Sequence, residues 1–248
     1  MRNITAMSCN TRRLVSTTSL LLIASVLLVS PRAFAQPKQE YVGRWDAYVG
    51  YMFLDSPIIN LMENGVHTQV GTRATRWLSL GFDFSVGTGR SHLTPDMLLP
   101  SLQEQIAAQL ERLTAAGIIP PTYVLKVPFD SQTETYAAGP QFSYRHFKSV
   151  TLFIRPDLGG MHARAWTHPQ DAVAKAIVAH LSPTGKKGDW VVFYGFGGGA
   201  DWMITKRCGV RIQADFVHDH LFGDLLKDSR NTVRFSVGPT VQWGRNVK

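Results

Sequence analysis

Cysteine and long apolar runs are what this 248-residue chain has least of: there are two cysteines, Cys9 and Cys208. Cys9 falls in the leader described below, so an exported chain keeps only Cys208 and has no intramolecular disulfide. A lone cysteine beside a turn reads as a small hydrophobe. The single long apolar run, Leu20 to Val29, is about ten residues, roughly half of what a membrane helix needs. No other stretch approaches that length, so a mature chain that enters a membrane must do so as strands. Strong charge of one sign is missing too. The formal charge is +8, and removal of Arg2, Arg12, Arg13 and Arg32 leaves about +4, scattered along the chain, which argues against nucleic acid as a partner. Gly195-Phe196-Gly197-Gly198-Gly199 is glycine-rich, but no helix follows it, so the phosphate-cradling geometry is missing.

The N-terminus has the parts of a secretory signal peptide. Basic residues precede the apolar run, Pro31 follows it, and Ala33-Phe34-Ala35 supplies an A-x-A ending, placing the cut before Gln36. The expected organisation is a signal peptide over 1–35, a short periplasmic segment over 36–43, a barrel over 44–243 and a periplasmic tail over 244–248.

What is present is alternation. From Val233 to Trp243 apolar residues occupy odd positions, while Arg234, Ser236, Gly238, Thr240 and Gln242 occupy even ones, the period of a two-faced strand. The same pattern recurs about eight times in segments of roughly ten residues. It appears at 45–53, 66–74, 78–87, 135–145, 150–159, 190–203 and 210–216. The charges on the second face are Asp46, Arg73, Asp83, Arg145, Arg155, Asp157, Asp201, Arg211, Asp215 and Arg234, with no lysine and no glutamate. Short acids balanced by forked guanidinium groups suit a closed, nearly dry lumen bound by ion pairs. A solvated sheet would show lysine and glutamate instead. The apolar face therefore points to lipid, and Trp45, Trp77, Trp190, Trp202 and Trp243 are expected as interface girdles. A lipocalin-like soluble barrel would need the reverse facing.

Connections after the second, fourth and sixth strands are short, whereas those after the first, third, fifth and seventh run roughly from 10 to 45 residues, an arrangement that leaves both termini at one rim. Two long loops carry helical signals. Thr94-Pro95 opens one, with Leu98, Leu102, Ile106, Leu110 and Leu113 at helical spacing before Gly117. Pro169 opens the second, with Val173, Ile177 and Leu181 on one side and Pro183 closing it. These helices are expected to form a lid over the mouth, a surface that binds a ligand, or both. Pro140, Pro156 and Pro239 fall inside strands, and bulges are expected to absorb them.

Three stretches carry a family likeness: Arg76 to Phe84, Tyr136 to Arg145, and Phe235 to Trp243, of which the last two also match each other weakly. On these the chain resembles small outer-membrane β-barrel proteins of the OmpA transmembrane-domain type, in particular the uncharacterised "outer membrane β-barrel" proteins of Gram-negative bacteria. It departs from them in having Gly244 to Lys248 after the terminal aromatic, and the peptidoglycan-binding domain of the longer relatives is not expected in it. The resemblance implies an all-β, eight-stranded antiparallel up-and-down transmembrane β-barrel with short helices in the long extracellular loops. It further implies an exported protein of the bacterial outer membrane, monomeric, without a cofactor or metal. Its partners would be outer-membrane lipid and lipopolysaccharide, the barrel assembly machinery during insertion, and an unidentified extracellular ligand.

For catalysis the weak candidates are His218 and His220, which share a strand face near His162 and His168 and could hold a metal or act on lipid head groups. No serine is fixed relative to them, so a lipid-modifying enzyme, an acyltransferase or deacylase, stays an alternative. A small-solute pore is the other. Eight strands leave an interior that side chains just fill, so no open channel is expected.

Overall fold

The computed structural model describes residues 41–227 and 230–247. The expected leader over 1–35 lies outside them. Eight strands follow in order: β1 (Gly43–Ser56), β2 (Leu61–Arg73), β3 (Leu78–Leu93), β4 (Val127–Tyr144), β5 (Val150–Thr167), β6 (Lys186–Met203), β7 (Cys208–Asp219) and β8 (Arg230–Asn246). Each pairs antiparallel with its chain neighbour, and β8 closes on β1. Closure leaves no edge, so every strand finds its ladder partners inside the molecule.

Alternation sorts the two faces as the pattern requires. Leu80 is 59% exposed, Val192 74% and Phe216 61%, while Arg211 in the lumen is 0% exposed. An apolar band of this kind around a polar, buried interior is the facing of a barrel in lipid, not of one in water.

The strands reach 12 to 18 residues, longer than the segments read from the sequence. A tilted span uses only about 9–11 residues, so the excess of β3 to β6 stands beyond the apolar band at the loop end. There the outward positions become Gln132, Glu134, His162 and Arg164, which hides the alternation. The first connection is also tighter than expected. A single 3-10 turn, Pro57–Ile59, and Asn60 at φ 46° replace a loop of about ten residues. Because β2 begins at Leu61, Glu63 enters the lumen, fully buried, so the expected absence of glutamate there does not hold.

The three prolines make no bulge. Ala138 pairs with Leu158 and Phe142 with Ile154 in one unbroken register across Pro140 and Pro156, and Tyr48–Thr240 and Tyr51–Val237 do the same across Pro239. Each proline faces outward and leaves a local gap in one ladder while its other neighbour keeps the pair, as in Leu80–Pro140 and Val210–Pro239. β8 continues past Trp243 to Asn246, which pairs with Gly43, so residues 244–246 of the expected periplasmic tail 244–248 belong to the last strand. Tyr41 and Val42 also dock on it, through Tyr41 Oη to the Gly244 carbonyl at 2.8 Å and Val42 N to Asn246 Oδ1 at 2.9 Å.

At the loop end two helices and a loop make a cap. α1 (Pro100–Ala115) starts five residues beyond Pro95, which instead opens a 3-10 turn, and Gly117 at φ 71° turns the chain away just past its end. α2 (Ala172–Leu181) is capped by Asp171, whose carboxylate accepts from Ala174 N at 2.7 Å. Ile106 of α1 and Ile177 and Val178 of α2 share an apolar cluster with Ile59, Leu61 and Leu226. The 220–227 segment is stitched to the 94–99 segment by Leu99 N to Leu225 O at 3.0 Å and Lys227 N to Met97 O at 3.1 Å. Tyr123 Oη donates to both Asp171 oxygens, at 3.1 and 3.0 Å, and so ties the loop after α1 to the start of α2.

Candidate functional site

The lumen holds all ten charged residues expected of it, arranged in two tiers. Towards the turn end, Arg211 grips Asp201 with two bonds, Nε to Oδ1 at 2.6 Å and Nη2 to Oδ2 at 2.9 Å, and lies over the Phe153 ring at 4.7 Å. Asp46 stands 3.5 Å from Arg211 and 3.3 Å from Arg73. Arg145 donates to the Arg76 carbonyl at 2.8 Å and to Thr151 at 2.9 Å.

Above this, Arg234 reaches Asp215 at 2.8 Å and Asp83 at 3.2 Å, and Arg155 reaches Asp83 at 2.8 Å and Asp157 at 2.9 Å. Gln69, Gln141 and Gln213 fill between the tiers, and Gln242 accepts from Arg73 at the turn end, all buried. Small neighbours make this packing fit. A side chain at Gly197 would collide with the Asp215 carboxylate, so the glycine there is what lets that acid lie flat against the wall.

One triplet in the lumen has the look of a catalytic relay. His67 bonds Ser236 Oγ through Nδ1 at 2.9 Å and Asp83 through Nε2. The hydroxyl, however, is buried under the arginines, with Asp83 also held by Arg155 and Arg234. With no room for a reacting carbonyl beside Ser236, the triplet serves as part of the plug.

The rim histidines fall into a pair and two single residues. His218 and His220 do share a face, their rings 5.0 Å apart and edge to face, with His218 bonded to Asn231 at 2.9 Å. His162 stands on β5, stacked on Trp190 at 4.5 Å, and His168 bonds Asp130 at 2.9 Å. The expected cluster of these four is therefore not formed. Among the described residues no group of three or more histidine, cysteine or acidic side chains is placed to hold a metal. Cys208 faces outward and is exposed rather than packed as a small hydrophobe. Trp45, Trp202 and Trp243 stand on strands at the turn end, with Trp77 on the turn between β2 and β3, while Trp190 stands at the loop end. Tyr136 and His162 lie beside Trp190.

Between plug and cap lies a cavity with about 100 Å³ open to the centres of water molecules. Met161, Ala163 and Phe129 line it from the barrel wall, and Val178, Leu181 and Leu226 from the cap. The sequence gives little sign of it, because its walls come from strand tops and two separate loops whose meeting no local pattern announces.

No family model matches this sequence, and no curated protein is similar to it. Solved structures with a similar chain path include Neisserial surface protein A, 9% identical, with a TM-score of 0.48 over 80% of this chain and 96% of that one. OprG from Pseudomonas aeruginosa is 8% identical, with a TM-score of 0.45 over 85% and 100%. Ail of Yersinia pestis, in complex with the heparin analogue sucrose octasulfate, is 13% identical, with a TM-score of 0.40 over 79% and 96%. The architecture above rests on strand pairing and facing, not on these likenesses.

Proposed function

We propose that this barrel sits in the outer membrane of a Gram-negative bacterium, with its lumen closed to diffusion and its helical cap serving as a binding module at the cell surface. The observation that carries the reading is the division of the interior into two separate works. Ion pairs fill the barrel from Asp46 and Arg73 up to Asp157 and Arg234, and an apolar-cored cap with its own cavity is built above them. A channel would need neither a filled lumen nor a cap with a core. In this reading the tryptophans anchor the barrel at the two bilayer interfaces and the apolar band contacts lipid and lipopolysaccharide. The chain acts as a monomer, since the lipid-facing band is covered by lipid rather than by a second copy.

The test begins with fractionation and unboiled gels. The mature protein is expected with outer membranes, as a heat-modifiable band, and its recovery as a soluble periplasmic protein would overturn the reading. The lipid-modifying alternative is tested by mass spectrometry of lipid A from cells expressing the protein or its His218→Ala/His220→Ala variant. Unchanged acyl chains in both are expected. A change that depends on the two histidines would make it an enzyme.

A further inference from the structure

The polar groups that border the cavity spend their hydrogen bonds on each other. At its floor Ser56 and Thr232 are bonded at 2.6 Å, and Thr232 donates to Asp219 at 3.2 Å. The other oxygen of Asp219 accepts from Leu221 N at 3.1 Å, and Ser131 donates to Glu63 at 2.5 Å. At the rim, Ser182 donates to the Lys186 carbonyl at 2.9 Å and Thr167 to the Gly185 carbonyl at 3.0 Å. The two cations there are turned aside, Arg164 to Glu134 at 2.8 Å and Lys187 to Asp224. What remains facing the space is almost entirely methyl, methylene, thioether and ring.

A charged or strongly polar guest would lose its hydration without finding free partners, a loss of several kcal/mol. Water fares poorly as well, because a buried water needs about two to four polar partners. An apolar guest loses nothing. Apolar cavities of this order stay dry and accept one benzene-sized molecule. The plug beneath blocks onward passage, so a guest is held at the mouth.

We propose that this cavity is a binding site for one small, uncharged, apolar molecule of about the size of a single aromatic ring. This deepens the surface-binding reading and rests on it, since the cap that completes the cavity is the part assigned to binding.

Full-length mature protein in lipid nanodiscs, titrated with fluorobenzene and followed by fluorine NMR, tests the proposal. Saturable binding above that of empty nanodiscs is expected, with 4-fluorobenzoate failing to bind. Ala163→Phe fills the cavity from the barrel wall and Val178→Trp fills it from the cap. Each should weaken fluorobenzene binding at least about tenfold, and the second leaves the barrel wall untouched if the first fails to fold. No saturable binding, binding indifferent to the folded variants, or equal binding of the carboxylate would overturn it. If the same preparation is heat-modifiable and closed to ions yet binds no fluorobenzene, the ligand class fails while the closed surface barrel stands. An open channel would remove that reading instead.

Discussion

At the scale of single residues, the lumen is held by charges that water cannot reach, so each partner matters more than its own bond. Arg211 is the clearest case, fully buried with both bonding edges occupied by Asp201, Gln69 and Asp46. Replacing it with Leu strands Asp201 in the interior, a loss of about 3–5 kcal/mol for one broken buried pair. The Arg211→Leu barrel is expected to lose its folded gel mobility at a clearly lower temperature than wild type. Adding Asp201→Leu should restore much of the difference, since removing both charges leaves nothing uncompensated. Equal melting of wild type and the single variant would put Arg211 outside the lumen. These ten charges were legible because period two fixes their face. His67 follows from the same period, sharing its face with Arg73, whereas Glu63 was not legible, since it precedes the point where β2 becomes readable.

At the scale of elements, strands and helices announce themselves by period, and their junctions do not. The alternation of β3 and β8 is complete over the apolar band, yet β4 and β5 run on well beyond it, to Val127 and Thr167, where the outward face turns polar and the inward one carries Phe129, Met161 and Ala163. The same loss of contrast hid the start of β2, and proline at 95 drew the start of α1 too early because Pro100 satisfies the same rule. How the helices are tied to each other depends on Tyr123 and Asp171, far apart in sequence. Burial and the adjoining Asp171 carboxylate push the Tyr123 phenol up to about 12. A raised value means the folded state holds the proton more tightly. The tie is therefore intact below about 10, the ordinary tyrosine value, and is lost as the pH rises from there through about 12. Protease cleavage near Tyr123 and at the start of α2 should accelerate over that interval in wild type. The Tyr123→Phe variant should be cut faster at neutral pH and show no added acceleration there, and identical profiles would remove the tie.

At the scale of the whole molecule there are two candidates for what closes the mouth, and they are physically separate. The plug is made of strand side chains that meet across the lumen, so its geometry is set by barrel register: Asp201 faces Arg211, and Asp215 faces Arg234, as adjacent strand partners. The cap is made of loops whose apolar cluster lies above the barrel; Ile59, Leu61 and Val127 join the two there, and Leu221 packs separately against Met161, Ala163 and Phe193 of the wall. Register was readable from the sequence, whereas the meeting of segments 94–126, 168–185 and 220–227 was not, because contacts between loops leave no periodic trace. Replacing 94–126 by a short turn should then leave strand pairing and the plug intact, so the barrel still migrates as a folded band. α2 would lose its packing against Ile106, Met97, Leu98 and Leu125 and become protease-sensitive. In planar bilayers the shortened barrel is expected to stay as closed as the full chain, because arginine and aspartate side chains, not helices, occupy the passage, as an eight-stranded interior requires. A steady conductance of nanosiemens order in the shortened barrel alone would mean that the cap is the seal. The same conductance in both would mean that the ion-pair tiers do not fill the lumen.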